Sequence, residues 1–132
     1  VRLGTFLDDQ QSVGAVVSRA EEEHESVRFS NHASGGHENM IYHSLSDGKD
    51  NRHLEPFVID ILPNENPKFD LSTHEGEEFI YVLEGQVEIN YGKTTYVLDK
   101  GDSIYYDSIV KHHVHGYNGQ KARILAVVYT PI

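Results

Sequence analysis

The sequence predicts an all-β protein that folds as a single domain of the sandwich or barrel type. Its 132 residues suit one hydrophobic core. Short apolar stretches recur about 8–12 residues apart, and glycine-containing turns separate them. Almost no stretch carries the three-to-four-residue apolar repeat of an amphipathic helix. These observations favour short strands along most of the chain.

Eight stretches from residue 40 onward are predicted to be strands. Residues 57–62 are apolar and β-branched, which is typical of a well-buried strand, and residues 85–91 alternate apolar and polar side chains. Gly92-Lys93 and Asn118-Gly119 are typical hairpin turns. The predicted strands cover residues 40–45, 57–62, 78–83, 85–91, 94–98, 103–106, 110–115 and 122–130.

The first 39 residues carry a weaker pattern. Residues 12–19 and 27–30 are candidate strands, and residues 31–39 have the glycine, histidine and asparagine content of a loop. We therefore expect residues 1–39 to be an N-terminal extension whose strands pack on the barrel or on a dimer partner. Residues 40–132 are expected to form the barrel.

Composition excludes several classes of function. With 11 basic and 21 acidic residues the net charge is −10, which argues against direct binding of nucleic acid or an anionic membrane. The absence of cysteine excludes disulfides, thiolate metal ligands and cysteine nucleophiles, and it fits a cytoplasmic location. No apolar run approaches the ~20 residues of a membrane span.

The stretch His74-Glu75-Gly76-Glu77-Glu78 is the strongest candidate for chemistry. Gly76 can adopt the positive φ of a tight reversal. Folded about Gly76, the Cβ atoms of His74 and Glu78 would be cross-strand neighbours about 4.5–5.5 Å apart. An imidazole and a carboxylate at that distance can share one divalent metal ion.

A third ligand is available from the histidine-rich stretch at residues 111–115, which contains His112, His113 and His115. Two histidines and one carboxylate, with open coordination positions, are the arrangement of non-haem Fe(II) oxygenases. The ligand types alone do not distinguish Fe from Zn, Ni, Mn or Co. We therefore predict a divalent transition metal without choosing its identity.

These residues give the chain its resemblance to the cupin family. His74, Glu78 and Gly85 match the second histidine, the glutamate and the closing glycine of the first cupin motif, and Gly101 and His112 match the second motif. The resemblance implies a jelly-roll β-barrel, and it implies that His74, Glu78 and His112 are the metal ligands.

The motifs also depart from the family pattern. Ser72 stands where the first histidine of the family is expected, so the usual set of three histidines and one glutamate is reduced to two histidines and one glutamate. Further departures are Asn66, Asp107, Ile109 and Gly116, which replace glycine, proline, glycine and asparagine of the two motifs.

Within the family, the phrases at residues 51–57, 74–79 and 101–107 are similar to the sensor half of bacterial helix-turn-helix/cupin transcriptional regulators. Dimerisation is expected by the same resemblance. Alternation places His113 and His115 on the opposite strand face from His112, so we expect them at the surface or an interface.

Four further residues are predicted to line a ligand pocket. Ser72 takes the place of a metal ligand and is expected to be a neutral pocket residue. Tyr42 and Tyr106 are candidates for the wall, and Arg52 precedes a buried strand where it could meet an anionic ligand.

Two functions from different classes follow. The first is a sensor or regulatory module that binds a metal and a small molecule within the barrel. The alternative is a mononuclear non-haem iron enzyme, of an oxygenase or epoxidase type, that uses the two-histidine-one-carboxylate site. The fold cannot choose between them, because cupin barrels host many activities.

Overall fold

The computed structural model describes residues 14–22, 27–29, 39–64 and 71–131. They form two antiparallel sheets packed face to face, the jelly-roll sandwich that the sequence predicted. The larger sheet has six strands in the order β1-β2-β3-β9-β4-β7, and the smaller has three in the order β6-β5-β8. Among the described residues, no helix is long and apolar enough to cross a membrane.

The nine strands in the described part of the chain follow the predicted apolar stretches closely. Their bounds are β1 Val27–Phe29, β2 Met40–Ser44, β3 Leu54–Ile61, β4 Glu77–Glu84, β5 Val87–Tyr91, β6 Thr94–Leu98, β7 Ser103–Asp107, β8 His112–Gly116 and β9 Ala122–Tyr129. β3 begins three residues before its predicted start, because the backbone pairing with β9 already opens at Leu54 opposite Tyr129.

The hydrophobic core lies between the two sheets. On the larger sheet Ile124 pairs with both Ile59 and Val82, so that three buried aliphatic side chains form one row across β3, β9 and β4. Val87 and Ile89 of β5 close the core from the smaller sheet. Fully burying a side chain of this kind contributes roughly 1.5–3 kcal/mol.

Two predictions about local structure are wrong. Residues 14–19, within the predicted strand at 12–19, form no strand, and a 3-10 turn follows at Ala20–Glu22. The Asn118-Gly119 turn exists, with φ of 57° and 72°, but it does not make a hairpin. It connects β8 of the smaller sheet to β9 of the larger one.

The N-terminal part of the chain adds at least one strand to the barrel. β1 pairs antiparallel with β2, with Phe29 opposite Met40, at the outer edge of the larger sheet. The division at residue 39 stays a prediction, and much of residues 1–39 lies outside the described part of the chain.

Gly76 is the turn residue on which the entry to β4 depends. Its φ is +110°, and a Cβ atom at this position would lie 2.0 Å from the carbonyl oxygen of Tyr129. Its own carbonyl accepts a hydrogen bond of 2.9 Å from the Ser108 N–H. Only glycine satisfies both the backbone conformation and the close approach to β9.

We expect Gly76→Ala to lower the free energy of unfolding of the metal-free protein by ~3 kcal/mol or more, because backbone strain and a collision with β9 add together. Gly48→Ala is the matched control, since Gly48 has a φ of +90° with nothing within 4 Å. It should cost only about 1 kcal/mol. Urea unfolding of both variants measures the difference. Equal losses in the free energy of unfolding would show that the collision with Tyr129 does not contribute to the destabilisation.

Candidate metal centre

The three predicted ligands meet in the space between the two sheets. Glu78 is the second residue of β4 in the larger sheet, and His112 is the first residue of β8 in the smaller sheet. His74 lies on the segment just before β4. The three side chains therefore reach one point from three different parts of the fold.

The position of His74 differs from the predicted hairpin about Gly76. The segment containing His74 pairs with the start of β8 rather than with β4. Ser72 and His112 exchange two backbone hydrogen bonds of 2.9 Å, and the His74 N–H donates to the Ser108 carbonyl at 3.1 Å. This pairing places His74 beside His112, with ring centroids 5.2 Å apart.

The ligand atoms form a compact cluster. Glu78 Oε1 lies 3.0 Å from His112 Nε2 and 3.4 Å from His74 Nε2. One ligand atom from each residue lies within 4.8 Å of the other two. The side chains of His112, Glu78 and His74 are 5%, 14% and 44% exposed, so the cluster runs from the interior of the barrel to its mouth.

Backbone contacts orient the His112 ring. Its Nδ1–H donates to the Val110 carbonyl at 2.7 Å, which directs Nε2 toward Glu78. A hydrogen bond of this kind fixes the ring nitrogen available to a metal. Burial by itself would lower the pKa of His112, but the hydrogen bonds to Glu78 and Val110 outweigh it and raise that pKa.

Glu78 is held as a carboxylate by its neighbours. The Ser108 hydroxyl donates to Oε1 at 3.1 Å. Burial alone would raise the pKa of Glu78, but the hydrogen bonds and positive charge from His112, the charge of His74 and the Ser108 hydroxyl together lower it. The carboxylate is therefore ionised at neutral pH and ready to accept a cation.

A cavity of about 60 Å³ opens beside the cluster. One side carries the three candidate ligands, and the opposite wall is aliphatic. Because one water molecule needs about 10–15 Å³ of such space, the cavity has room for a few small ligand atoms. The apolar residues of the wall are Met40, Ile59, Ile80, Val114, Ile124 and Ala126.

Two of the four predicted pocket residues line this cavity, namely Ser72 and Tyr42. Burial, and next the charge of Glu78, raise the pKa of Tyr42, so its hydroxyl stays protonated. Tyr106 lies behind the cluster, with its ring 5.1 Å from the His112 ring. Burial, and next the charge of Glu78, raise the pKa of its hydroxyl.

Arg52 does not reach the cavity. Its Nε lies 2.9 Å from Glu55 Oε2, and its Nη1 donates to the Lys49 carbonyl. The prediction failed here because the carboxylate three residues along the chain is nearer to the guanidinium than the barrel interior is.

Of the two other histidines of β8, one is buried. His113, expected at the surface or an interface, is only 8% exposed and is among the residues that line the cavity. Its Nδ1 lies 3.0 Å from Nδ1 of His115, whose Nε2 lies 3.1 Å from Glu88 Oε2.

Ser108 is the site residue that the sequence analysis missed. Its side chain is completely buried and touches the candidate ligand Glu78. Serine in a turn between two strands is common, so the sequence carries no distinguishing signal. Only the pairing of β7 with β4 and the turn after β7 show where the hydroxyl points.

Comparison with known proteins agrees with this geometry. The chain is 33% identical over 95 residues to (S)-2-hydroxypropylphosphonic acid epoxidase of Streptomyces wedmorensis, and the match covers 66% of this chain and 47% of the epoxidase. The structure of Fe(II) HppE aligns with a TM-score of 0.69 at 27% identity, covering 88% of this chain and 60% of the other.

The structure of hydroxypropylphosphonic acid epoxidase from S. wedmorenis aligns with the same TM-score at 25% identity, again over 88% of this chain and 60% of the other. The chain thus spans about half to three-fifths of the length of these relatives. A family model described as a cupin domain matches residues 57–128, more than half of the chain. With the two antiparallel sheets and the His-His-Glu cluster between them, this match shows that the chain belongs to the cupin domain family.

Proposed function

We propose that this chain is a mononuclear metal-dependent cupin enzyme that binds a divalent transition metal, Fe(II) first, through His74, Glu78 and His112. The observation that carries the proposal is the compact cluster of three ligand atoms beside a cavity. Two imidazoles and one carboxylate leave coordination positions open toward that cavity, as non-haem Fe(II) oxygenases require.

The ligands fit a metal ion in their surroundings as well as in their type. Ser108 and Val110 orient Glu78 and His112 through hydrogen bonds, which is the outer support that metal sites commonly have. The resemblance to an epoxidase whose solved structures hold Fe(II) or Co(II) supports the same choice of metal. When bound, iron supplies the redox chemistry and the positions at which small molecules coordinate.

The remaining cavity residues have roles in binding and shielding. The polar groups beside the candidate ligands are the Tyr42 hydroxyl, which donates to Met40 Sδ at 3.8 Å, and the Ser72 hydroxyl, which donates to the His112 carbonyl at 3.4 Å; a ligand in the cavity would meet both. The aliphatic wall, including the buried Ile80 and Ile124, excludes water from the side opposite the ligands. Exclusion of water strengthens the electrostatic interactions of a bound ligand.

A sensor module is the second candidate function. It rests on the similarity of three stretches to the sensor half of cupin regulators, and one observation favours it. The wall of the cavity opposite the candidate ligands carries only aliphatic and methionine side chains among the described residues, so it supplies no group for proton transfer and suits binding without turnover. Consumption of a ligand by the iron-loaded protein would separate the enzyme from the sensor. Dimerisation stays a prediction under both functions.

We expect His74→Ala and His112→Ala each to weaken binding of Fe(II) or Co(II) by about a hundredfold or more, because each removes one of three ligands. Elemental analysis of untagged protein and metal titration measure the loss. His53→Ala is the control, since His53 is exposed and lies outside the cluster. Full metal content in either ligand variant would refute the assignment.

Ser108→Ala should weaken metal binding by about tenfold while leaving the three ligands in place, because the Glu78 carboxylate loses the donor that orients it. Ser46→Ala is a matched control, since Ser46 is also a buried serine but bonds to Ser44. Titration of both variants with Co(II) gives the comparison. The same affinity in both variants would show that the Ser108 contact does not act on the site.

Metal affinity should fall as the solution is acidified. The raised pKa of His112 means that a proton competes for Nε2, whereas the lowered pKa of Glu78 keeps its carboxylate free. Below the pKa of His112, each displaced proton should weaken affinity about tenfold per pH unit. Calorimetric titration in buffers of different ionisation enthalpy measures the released protons, and a pH-independent affinity with no proton release would contradict the proposal.

A further inference from the structure

Building on the proposed metal site, we infer that the cavity takes a small monoanionic chelator with a short aliphatic tail, of the 2-hydroxy or 2-oxo monocarboxylate class. Such a molecule offers two oxygen atoms to one metal ion and one negative charge. A dianionic phosphonate should bind less tightly than a ligand of this class. The inference is drawn from the charge of the cluster, the residues of the wall and the size of the cavity.

The charge of the loaded site is the first argument. Neutral His74 and His112 with an ionised Glu78 and a divalent ion carry one net positive charge. A monoanion that binds there leaves the buried site neutral. A dianion leaves an uncompensated negative charge inside the barrel, which is costly because water cannot solvate it there.

The second reason is that no permanently cationic side chain lines the cavity in the described part of the chain. None of the described residues that line it is a lysine or an arginine. The one lining histidine outside the cluster, His113, lies against His115 with their Nδ1 atoms 3.0 Å apart. Arg52, the nearest candidate by sequence, is paired with Glu55. The chain as a whole carries a charge of −10. The surroundings therefore disfavour a second negative charge on the ligand.

The wall opposite the metal ligands fixes the nature of the tail. Ile80 and Ile124 are each 1% exposed, and Ala126 is 2% exposed. These side chains offer no hydrogen bond, so a polar tail would lose its contacts with water without replacement. A cavity of about 60 Å³ limits the tail to a few carbon atoms.

The inference sets this chain apart from the relative that it resembles. By its name, that epoxidase acts on a phosphonic acid. The match covers about half to three-fifths of the relative's length, so the relative has residues that no part of this chain matches. Sharing the His-His-Glu cluster does not require the two proteins to share a ligand class.

A matched pair of ligands tests the inference. The protein loaded with Co(II) is titrated, while its visible spectrum is followed, with 2-hydroxy-3-methylbutanoate and with 1-hydroxy-2-methylpropylphosphonate, which differ only in the acid group. We expect the carboxylate to bind at least about tenfold more tightly at mildly alkaline pH. The phosphonate should weaken further as it loses its second proton.

A pair of variants adds a test on the protein side. Ser72→Arg places a cation at the cavity and should shift the preference toward the phosphonate by about tenfold. Thr94→Arg adds the same charge at an exposed position of β6, outside the cavity lining, and should leave the preference unchanged. Equal shifts in the two variants would mean that the overall charge of the protein sets the preference, and the inference would fail.

The two levels of the proposal fail differently. If Co(II) gives no spectrum of a bound ion, the metal site and the ligand class are both refuted. If Co(II) binds but the unaltered protein prefers the phosphonate or binds both ligands equally, the metal site stands and the ligand class is refuted.

Discussion

The contact between Glu78 and His112 is the interaction on which the site depends. It joins a strand of the six-stranded sheet to a strand of the three-stranded sheet, across the space that the core fills elsewhere. A carboxylate that is 14% exposed would be costly without a partner, and so would a charged imidazole that is 5% exposed. Each group lowers the free-energy cost of burying the other. A metal cation that displaces the proton of this pair can then bind to both.

This arrangement explains why the backbone around the site is so tightly specified. The pairing of Ser72 with His112 carries His74 to the cluster, and the Gly76 turn then brings the chain into β4, where Glu78 faces inward. A displaced turn would move His74 and Glu78 relative to each other, and the ligand atoms would no longer lie within reach of one ion. A substitution of Gly76 would therefore disturb the geometry of the candidate metal site as well as the fold.

Much of the fold could be predicted because alternation of apolar side chains is a local signal. Eight strands from β2 to β9 lie where that pattern placed them, and the ligands His74, Glu78 and His112 lie together as the motif implied. Features that depend on long-range pairing could not be predicted. Asn118-Gly119 has the residues of a hairpin, yet the strands on either side join different sheets.

The remaining differences have the same physical origin. Arg52 forms an ion pair with Glu55, three residues along the chain. Secondary-structure propensities do not predict whether an arginine makes such a local contact or points into the barrel. Ser108 donates a hydrogen bond to Glu78 because of the path of the turn between β7 and β8. The residue types in that turn do not predict this path. In the same way, a shared cluster of two histidines and a glutamate fixes where a metal can bind. It does not determine which ligand occupies the open coordination positions, because that depends on the cavity wall. For this chain the aliphatic wall, with no lysine or arginine among the described lining residues, is the feature from which the ligand class is inferred.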